Sequence, residues 1–350
     1  MLVPEKNTSI CIIGAGGIVH DAHLPAYAIA EFKVTGIFDR DFEKAKNLAN
    51  QFGIDNAYPS LDQMVAANPH SVFDIALPAS EIIAVLEQLP NGAAVLIQKP
   101  MGTNYQEALE ILACTQRKNM KAGVNFQLRY APFIQAARAI VARGDIGDLY
   151  DIEVHVNVFT PWHLWTFLYG KPRLEILYHS IHYLDLVRSF LGDPIGIYAK
   201  TVKHPNLQDL ASVRTNMIMD YGETIRANIL TNHCHEFGFH NQQSYIKFEG
   251  TKGAIKINMG VLIDYPRGVP DKFEYVVMEA GKQPVWQELP IEGGWFPHAF
   301  IGTMQEVMLC AQGKQESPNN SVADALKTMA CVEAAYLSSE KGSIPISAIL

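Results

Sequence analysis

The stretch Ile12-Ile-Gly14-Ala-Gly16-Gly17-Ile-Val19 constrains this chain most, because it joins a short apolar run to a helical pattern. Glycines at such a junction let the backbone approach a pyrophosphate, which then rests on the helix N-terminus. The third position of the pattern is Val19 rather than Gly or Ala, and a plain tight turn is the alternative reading. The surrounding order of elements favours the nucleotide. Residues 9–13, 33–38, 73–77, 93–98 and 120–124 read as strands, alternating with helical patterns over 17–30, 41–52, 81–89 and 103–118. Thr103 with Gln106 has the form of a capping box for the last of these helices. Apolar strands separated by helices imply a parallel sheet covered on both faces.

From Ile152 the pattern changes. Ile152, Val154, Val156 and Val158 alternate with Glu153, His155 and Asn157, a period of two. Strand-like runs follow at 197–202, 213–219, 225–233, 245–248, 254–257 and 273–278, with turns at Asp220-Tyr-Gly-Glu223 and Glu249-Gly-Thr-Lys-Gly253. Helices over 175–191, 300–312 and 322–338 are expected to cover one face of this sheet. The fold class is α/β. An N-terminal doubly wound Rossmann domain spans residues 1–124. A C-terminal α+β domain with a large, mostly antiparallel open sheet spans 125–350, and its last helices can pack back toward the first domain.

Charge narrows the function. With 28 Lys and Arg against 36 Asp and Glu, the net charge is −8, which leaves no footprint for nucleic acid. No apolar stretch is long enough for a membrane helix, and Met1-Leu-Val-Pro-Glu-Lys6 lacks a signal-peptide core. The five cysteines are scattered and never form CxxC, so a reduced, cytoplasmic protein without structural zinc is expected. His233, Cys234, His235 and His240 lack convergent ligand spacing and read as sheet residues, so no metal is expected.

Asp39 ends the second strand, where an acid accepts hydrogen bonds from the ribose hydroxyls of a dinucleotide. A carboxylate there repels a 2′-phosphate, so NAD is favoured, with NADP as the alternative. Arg40 complicates this preference by offering a cation for a phosphate or a plane for adenine. Asp39 capping the following helix is the simpler alternative.

Gly14-Ala-Gly16, Gln98-Lys99-Pro100 and Ser180-Ile-His182-Tyr-Leu-Asp185, in this order, give a chain that resembles the Gfo/Idh/MocA oxidoreductase family. The likeness covers nearly the whole chain, including the closing Glu333-Ala-Ala-Tyr-Leu-Ser-Ser-Glu-Lys-Gly342. It implies an NAD(P)-dependent dehydrogenase acting on a secondary alcohol of a sugar, cyclitol or related polyol, working as a homodimer or homotetramer. The family's Glu-Lys-Pro motif stands here as Gln98-Lys99-Pro100, and its lysine, Lys99, would stabilise developing alkoxide charge. A neutral Gln98 is expected to lower the pKa of Lys99 relative to a glutamate there. His182, from the family's Asp-x-Gly-x-His motif, is the expected general base. The motif's acid and glycine are replaced by Tyr178 and Ser180, which makes Tyr178 a candidate to hold substrate or donate a proton.

The expected cofactor contacts are Gly14, Gly16, Gly17, Ile18, Asp39, Arg40, Pro78, Gln98 and Lys99. The expected substrate contacts are Lys99, Asn125, Arg129, Trp162, His163, Tyr178 and His182. Trp162 is equally readable as core, and Arg129 as a salt bridge. Two rival activities remain at this point: NAD-dependent glycoside hydrolysis, and a non-catalytic NAD-binding sensor.

Overall fold

The computed structural model describes residues 3–344 and 346 and divides into two compact units. The first unit contains six parallel strands, β1 (Ile10–Ile13), β2 (Val34–Phe38), β3 (Asn56–Tyr58), β4 (Val72–Ile75), β5 (Ala94–Ile97) and β6 (Lys121–Val124). They lie in the order β3-β2-β1-β4-β5-β6, so the direction of winding reverses between β1 and β4. Ligands bind at the carboxyl ends of strands on either side of such a reversal. β1, β4 and β5 are buried along their whole length, which explains their unbroken apolar character. Between the strands run α1 (Leu24–Ile29), α2 (Phe42–Phe52), α3 (Leu61–Ala67), α4 (Ile82–Gln88) and α5 (Tyr105–Arg117).

The helix expected over 17–30 is split. A wide π turn, Val19–His23, precedes α1, and Pro25, which has no N–H to donate, lies in the first turn of α1. The capping box at α5 sits one residue later than the sequence pattern suggested. Asn104 is the cap, accepting from the Glu107 N–H at 3.0 Å, while Glu107 accepts from the Thr103 N–H at 2.7 Å. Thr103, Asn104 and Glu107 therefore do what Thr103 and Gln106 were expected to do. The short β3 and α3 were not anticipated.

The second unit begins within α6 (Pro132–Ala142), another element the sequence pattern did not reveal. Its sheet contains β7 (Leu149–Asn157), β8 (Gly196–Val202), β9 (Arg214–Asp220), β10 (Arg226–Asn232), β11 (Gln243–Gly250), β12 (Gly253–Asn258), β13 (Lys272–Val277) and β14 (Gln287–Glu288), in the order β14-β13-β12-β11-β7-β10-β9-β8. β7 and β10 pair parallel and the other neighbours pair antiparallel. The inward residues Ile152, Val154, Val156, Ala227, Ile229, Ile246 and Phe248 are buried, as the two-residue period requires. They are covered by α6 and by α7 (Ile181–Leu191), with the Phe190 ring 4.8 Å from Phe248 and the Arg138 guanidinium 4.3 Å from Phe190.

α8 (Ala299–Ala311) corrects an expectation. The helix predicted over 300–312 to cover the second sheet belongs instead to the first unit. Phe300, Met304, Val307 and Met308 join Ile10, Ile12, Tyr27 and Leu96 in one buried cluster. The compact first unit accordingly runs to Pro132 and takes back Gly293–Met329, rather than ending at residue 124. Asn320 then seals the free edge of β6: its backbone carbonyl accepts from the Val124 N–H and its amide donates to the Val124 carbonyl, both at 2.8 Å. An unpaired edge strand is a liability that this cover removes. The part of α9 (Val322–Lys341) that belongs to the second unit, from Ala330 onward, treats β8 similarly: the Ser338 and Ser339 hydroxyls accept from the N–H groups of Ala199 and Thr201 at 2.9 and 3.1 Å.

Gly14 is required by packing at the winding reversal. Its φ is +110°, and a Cβ there would lie 2.4 Å from the Ala76 carbonyl oxygen just beyond β4. A Cβ on Gly16 would meet nothing within 4 Å. Gly14→Ala should therefore destabilise the fold by about 3 kcal/mol or more. Gly16→Ala should change stability by less than about 0.5 kcal/mol. Urea unfolding of both variants checks the contrast.

Candidate active site

The carboxyl ends of β1, β2, β4 and β5 gather most of the residues expected to meet the dinucleotide. Gly14 donates its N–H to the Phe38 carbonyl at 2.7 Å, and Gly16 accepts at its carbonyl from the N–H groups of Val19 and His20. The space beside Gly16 leaves its backbone open to close approach, and Gly17 is similarly unobstructed, with only the Asp21 carboxylate 3.9 Å from a Cβ position. Ile18 packs partly buried on the core beneath. Pro78 follows β4 and opens a short turn, Ala79–Glu81.

Asp39 is shared between two loops. One carboxylate oxygen accepts from the Ala15 N–H in the glycine turn and the other from the Asp41 N–H, both at 2.8 Å. The helix cap itself is Asp41. Each Asp39 oxygen keeps a further lone pair for a hydroxyl, and the carboxylate remains partly exposed. Arg40 is exposed and reaches Glu81 at 2.7 Å rather than standing free for a phosphate. The close-approach glycines, the partly exposed acid and the reversal in strand order together fit a bound dinucleotide.

Lys99 follows β5 directly. The Gln98 N–H donates to the Ile75 carbonyl, extending the ladder by one residue, and the Gln98 side-chain carbonyl accepts the Lys99 N–H at 2.8 Å. The Lys99–Pro100 peptide is cis. Burial pushes the Lys99 ammonium down to about 8. Desolvation is the cause of this shift, and the comparison with a glutamate at position 98 is a separate question.

Beneath Lys99 lies a buried polar cluster that the sequence reading missed. Asp74, in the middle of β4, accepts at one oxygen from the Tyr27 hydroxyl at 2.7 Å and from His23 Nδ1 at 2.6 Å. Burial, together with the Asp74 charge, pushes the Tyr27 phenol well above its usual value and keeps it a donor. Asn125, expected to touch substrate, is fully buried in this cluster, with its amide nitrogen 3.3 Å from His23 Nε2 and its oxygen accepting from Thr303 at 2.8 Å. The signal in the sequence was an aspartate inside the apolar run Val72–Ile75.

Arg129 likewise turns inward on its own unit. Its guanidinium donates to Asp324 at 2.6 Å and to the Asn319 carbonyl at 3.3 Å, which is the salt-bridge alternative.

In the second unit, the helix expected over 175–191 opens with a π turn, Ile176–Ser180, before α7. Such turns frequently occur at functional sites. His182 and Asp185 are both buried on α7. Tyr178 lies on the π turn, half-buried, with its ring 6.2 Å from Phe167 and packed on the cluster of Trp162, Leu168 and Leu174. Trp162 is buried in that cluster, as its core alternative proposed, whereas His163 is exposed.

Glu175 was not anticipated. It is fully buried, accepts from the Ser180 hydroxyl at 2.7 Å and lies 3.4 Å from His233 Nε2. Burial alone would raise its carboxyl, yet His233, Thr215 and Ser180 outweigh that and hold it below the usual range. His233 Nδ1 meets the Thr160 hydroxyl at 3.0 Å, so this imidazole is occupied by its neighbours.

Comparison with known proteins identifies the family. Residues 8–126 match the model of an oxidoreductase family with an NAD-binding Rossmann fold, and residues 138–347 match that family's C-terminal α/β domain. The chain is 24% identical over 344 residues to a D-apiose dehydrogenase from Paraburkholderia graminis, covering 96% of this chain and 89% of that relative. It is 32% identical over 190 residues to a trans-1,2-dihydrobenzene-1,2-diol dehydrogenase from Mus musculus, covering 50% of this chain and 55% of that relative. Its fold matches an oxidoreductase from Agrobacterium radiobacter solved with NAD+, L-tartaric acid and magnesium, with a TM-score of 0.79, 22% identity, and coverage of 98% and 99% of the two chains. With both family models matched along almost its entire length, the chain belongs to the Gfo/Idh/MocA oxidoreductases and is an NAD-binding dehydrogenase of that family.

Proposed function

We propose that the protein oxidises a secondary alcohol of a sugar, cyclitol or related polyol, or reduces the corresponding ketone, with Lys99 and His182 as its catalytic residues. The observation that carries this reading is a lysine at the carboxyl end of β5 whose ammonium is brought down to about 8 by burial. A cation there is a hydrogen-bond donor to a hydroxyl or carbonyl oxygen, and low local dielectric strengthens it against the developing alkoxide charge. NAD, held at Gly14, Gly16, Gly17 and Asp39, supplies the hydride acceptor when bound. His182 takes the hydroxyl proton in oxidation and returns it in reduction. Tyr178, beside the loop that carries Trp162 and His163, contributes to substrate orientation.

The same reading places the protein in the cytoplasm, where its five buried free thiols stay reduced. It also places a second copy of the chain on the outward face of the second unit's sheet, where Tyr198 and Ile218 are exposed, giving a homodimer or homotetramer.

A panel of sugars and polyols, scored by nicotinamide absorbance with NAD and with NADP, tests the assignment. Lys99→Ala should lower kcat/KM by about 100-fold or more on any substrate found; undiminished turnover would overturn the mechanism. Because the ammonium must keep its proton to act as a donor, kcat/KM should fall as pH rises through about 8. Lys99→Arg, which stays charged, should remove that limb from the profile. Asp39→Ser should narrow the preference for NAD over NADP, and a wild type that prefers NADP would reject the role given to Asp39.

A further inference from the structure

We propose that His23 is a positioning residue for Lys99, acting through Gln98, and that its Nε2 is the atom that takes up a proton when residue 98 is a carboxylate. The inference rests on the catalytic reading of Lys99.

The hydrogens of this cluster are fixed by its partners. His23 Nδ1 faces the Asp74 carboxylate, an obligate acceptor when ionised, so the imidazole carries its hydrogen on Nδ1. Its Nε2 faces two amide nitrogens, Gln98 Nε2 at 3.1 Å and Asn125 Nδ2 at 3.3 Å. Amide nitrogens donate and do not accept, so Nε2 presents a lone pair. Both amides are oriented from their far ends. The Gln98 oxygen holds the Lys99 N–H, and the Asn125 oxygen holds the Thr303 hydroxyl. One continuous path therefore runs from Asp74 through His23 and Gln98 to the peptide that carries Lys99, and its side chains are all buried.

A carboxylate at position 98 would set acceptor against acceptor at His23 Nε2. One proton from solvent removes the conflict and makes His23 an imidazolium between two carboxylates. The charge of the cluster is then unchanged: Asp74 alone contributes −1 when residue 98 is an amide, and two acids with one cation also sum to −1. The groups packed around His23 are Asp74 from β4, Tyr27 from α1, Gln98 after β5, Asn125 after β6, and Thr303 and Phe300 from α8, with the Phe300 ring 5.0 Å away. Tyr27 and Asp74 are the titratable members of that shell. The ordinary electrostatic expectation, that an amide at 98 by itself lowers the lysine pKa, then fails, because His23 compensates.

The experiment uses the full-length protein. The ionisation of Lys99 is followed by pH-dependent acylation and mass spectrometry of its peptide, and the state of His23 by histidine-selective 15N NMR. In wild type, His23 should show a proton on Nδ1 only. In Gln98→Glu it should show both ring nitrogens protonated, and the Lys99 midpoint should move by less than about half a unit. In Gln98→Glu combined with His23→Gln, which keeps a donor and an acceptor but cannot take the proton, the midpoint should rise by about a unit or more. His23→Leu should lower kcat at least about tenfold with little change in KM for NAD, and His23→Gln should restore most of it. If Gln98→Glu alone raises the midpoint as far as the double variant, or leaves His23 with a single proton, the proposal is wrong. Unchanged kcat in His23→Leu would also refute it. Should His23→Leu fail to fold, the Gln98→Glu arm decides, since it deletes no atom of the path. Lys99→Ala in the same turnover assay separates the two levels: full activity there sinks the catalytic reading while the titration and NMR still report on His23.

Discussion

A carboxylate in the middle of a parallel sheet has to be answered, and much of the first unit is organised by how Asp74 is answered. An isolated buried charge costs several kcal/mol unless donors converge on it. Here both donors, His23 and Tyr27, come from the segment that follows the glycine turn. The oxygen that closes β4 onto this segment thus also fixes how the segment leaves β1. The other side of the same imidazole reaches Gln98, and through it the Lys99 peptide. The segment after the glycine turn and the loop that carries Lys99 are consequently parts of one hydrogen-bonded body, not two loops on a common scaffold.

Two tasks at this lysine have two different causes. Burial depresses the Lys99 ammonium by making the charged form costly. Gln98 helps set where the lysine stands, since its side-chain carbonyl accepts the Lys99 peptide N–H. An amide can make that bond and donate to His23 together, which an ionised carboxylate cannot. The departure from the family-like motif is therefore consistent with a working site rather than with a lost one.

What could be read from the sequence follows a physical line. Local features were legible: the glycine turn, Asp39 at the end of β2, the change from continuous apolar strands to a two-residue alternation, and Lys99 at the end of β5. Each depends on neighbours within a few positions along the chain. Features set by distant contacts were not legible. The return of α8 to the first unit depends on Phe300, Met304 and Val307 finding a core built from residues near the N-terminus. Asn125 and Arg129 have the chemistry of substrate contacts, but Thr303 and Asp324, far along the chain, claim them. The cap of α5 moved by one residue because Glu107, not Gln106, reaches back. His23 and Asp74 gave only the faint signal of polar groups in apolar surroundings.

The second unit repeats the logic with another buried acid. Compared with the motif, position 178 has a phenol in place of an acid and position 180 a hydroxyl in place of a glycine, and the buried Glu175 lies beside both. A carboxylate at 178 would lie one turn from the buried Glu175, and like charges at that spacing repel. A glycine at 180 would leave Glu175 without the hydroxyl that now donates to it at 2.7 Å. The π turn that carries these residues sets Ser180 and Glu175 within hydrogen-bond reach of each other while His233 supplies the opposing nitrogen. Tyr178 and Ser180 thus both stand beside this buried carboxylate, at the π turn that leads into α7 and His182.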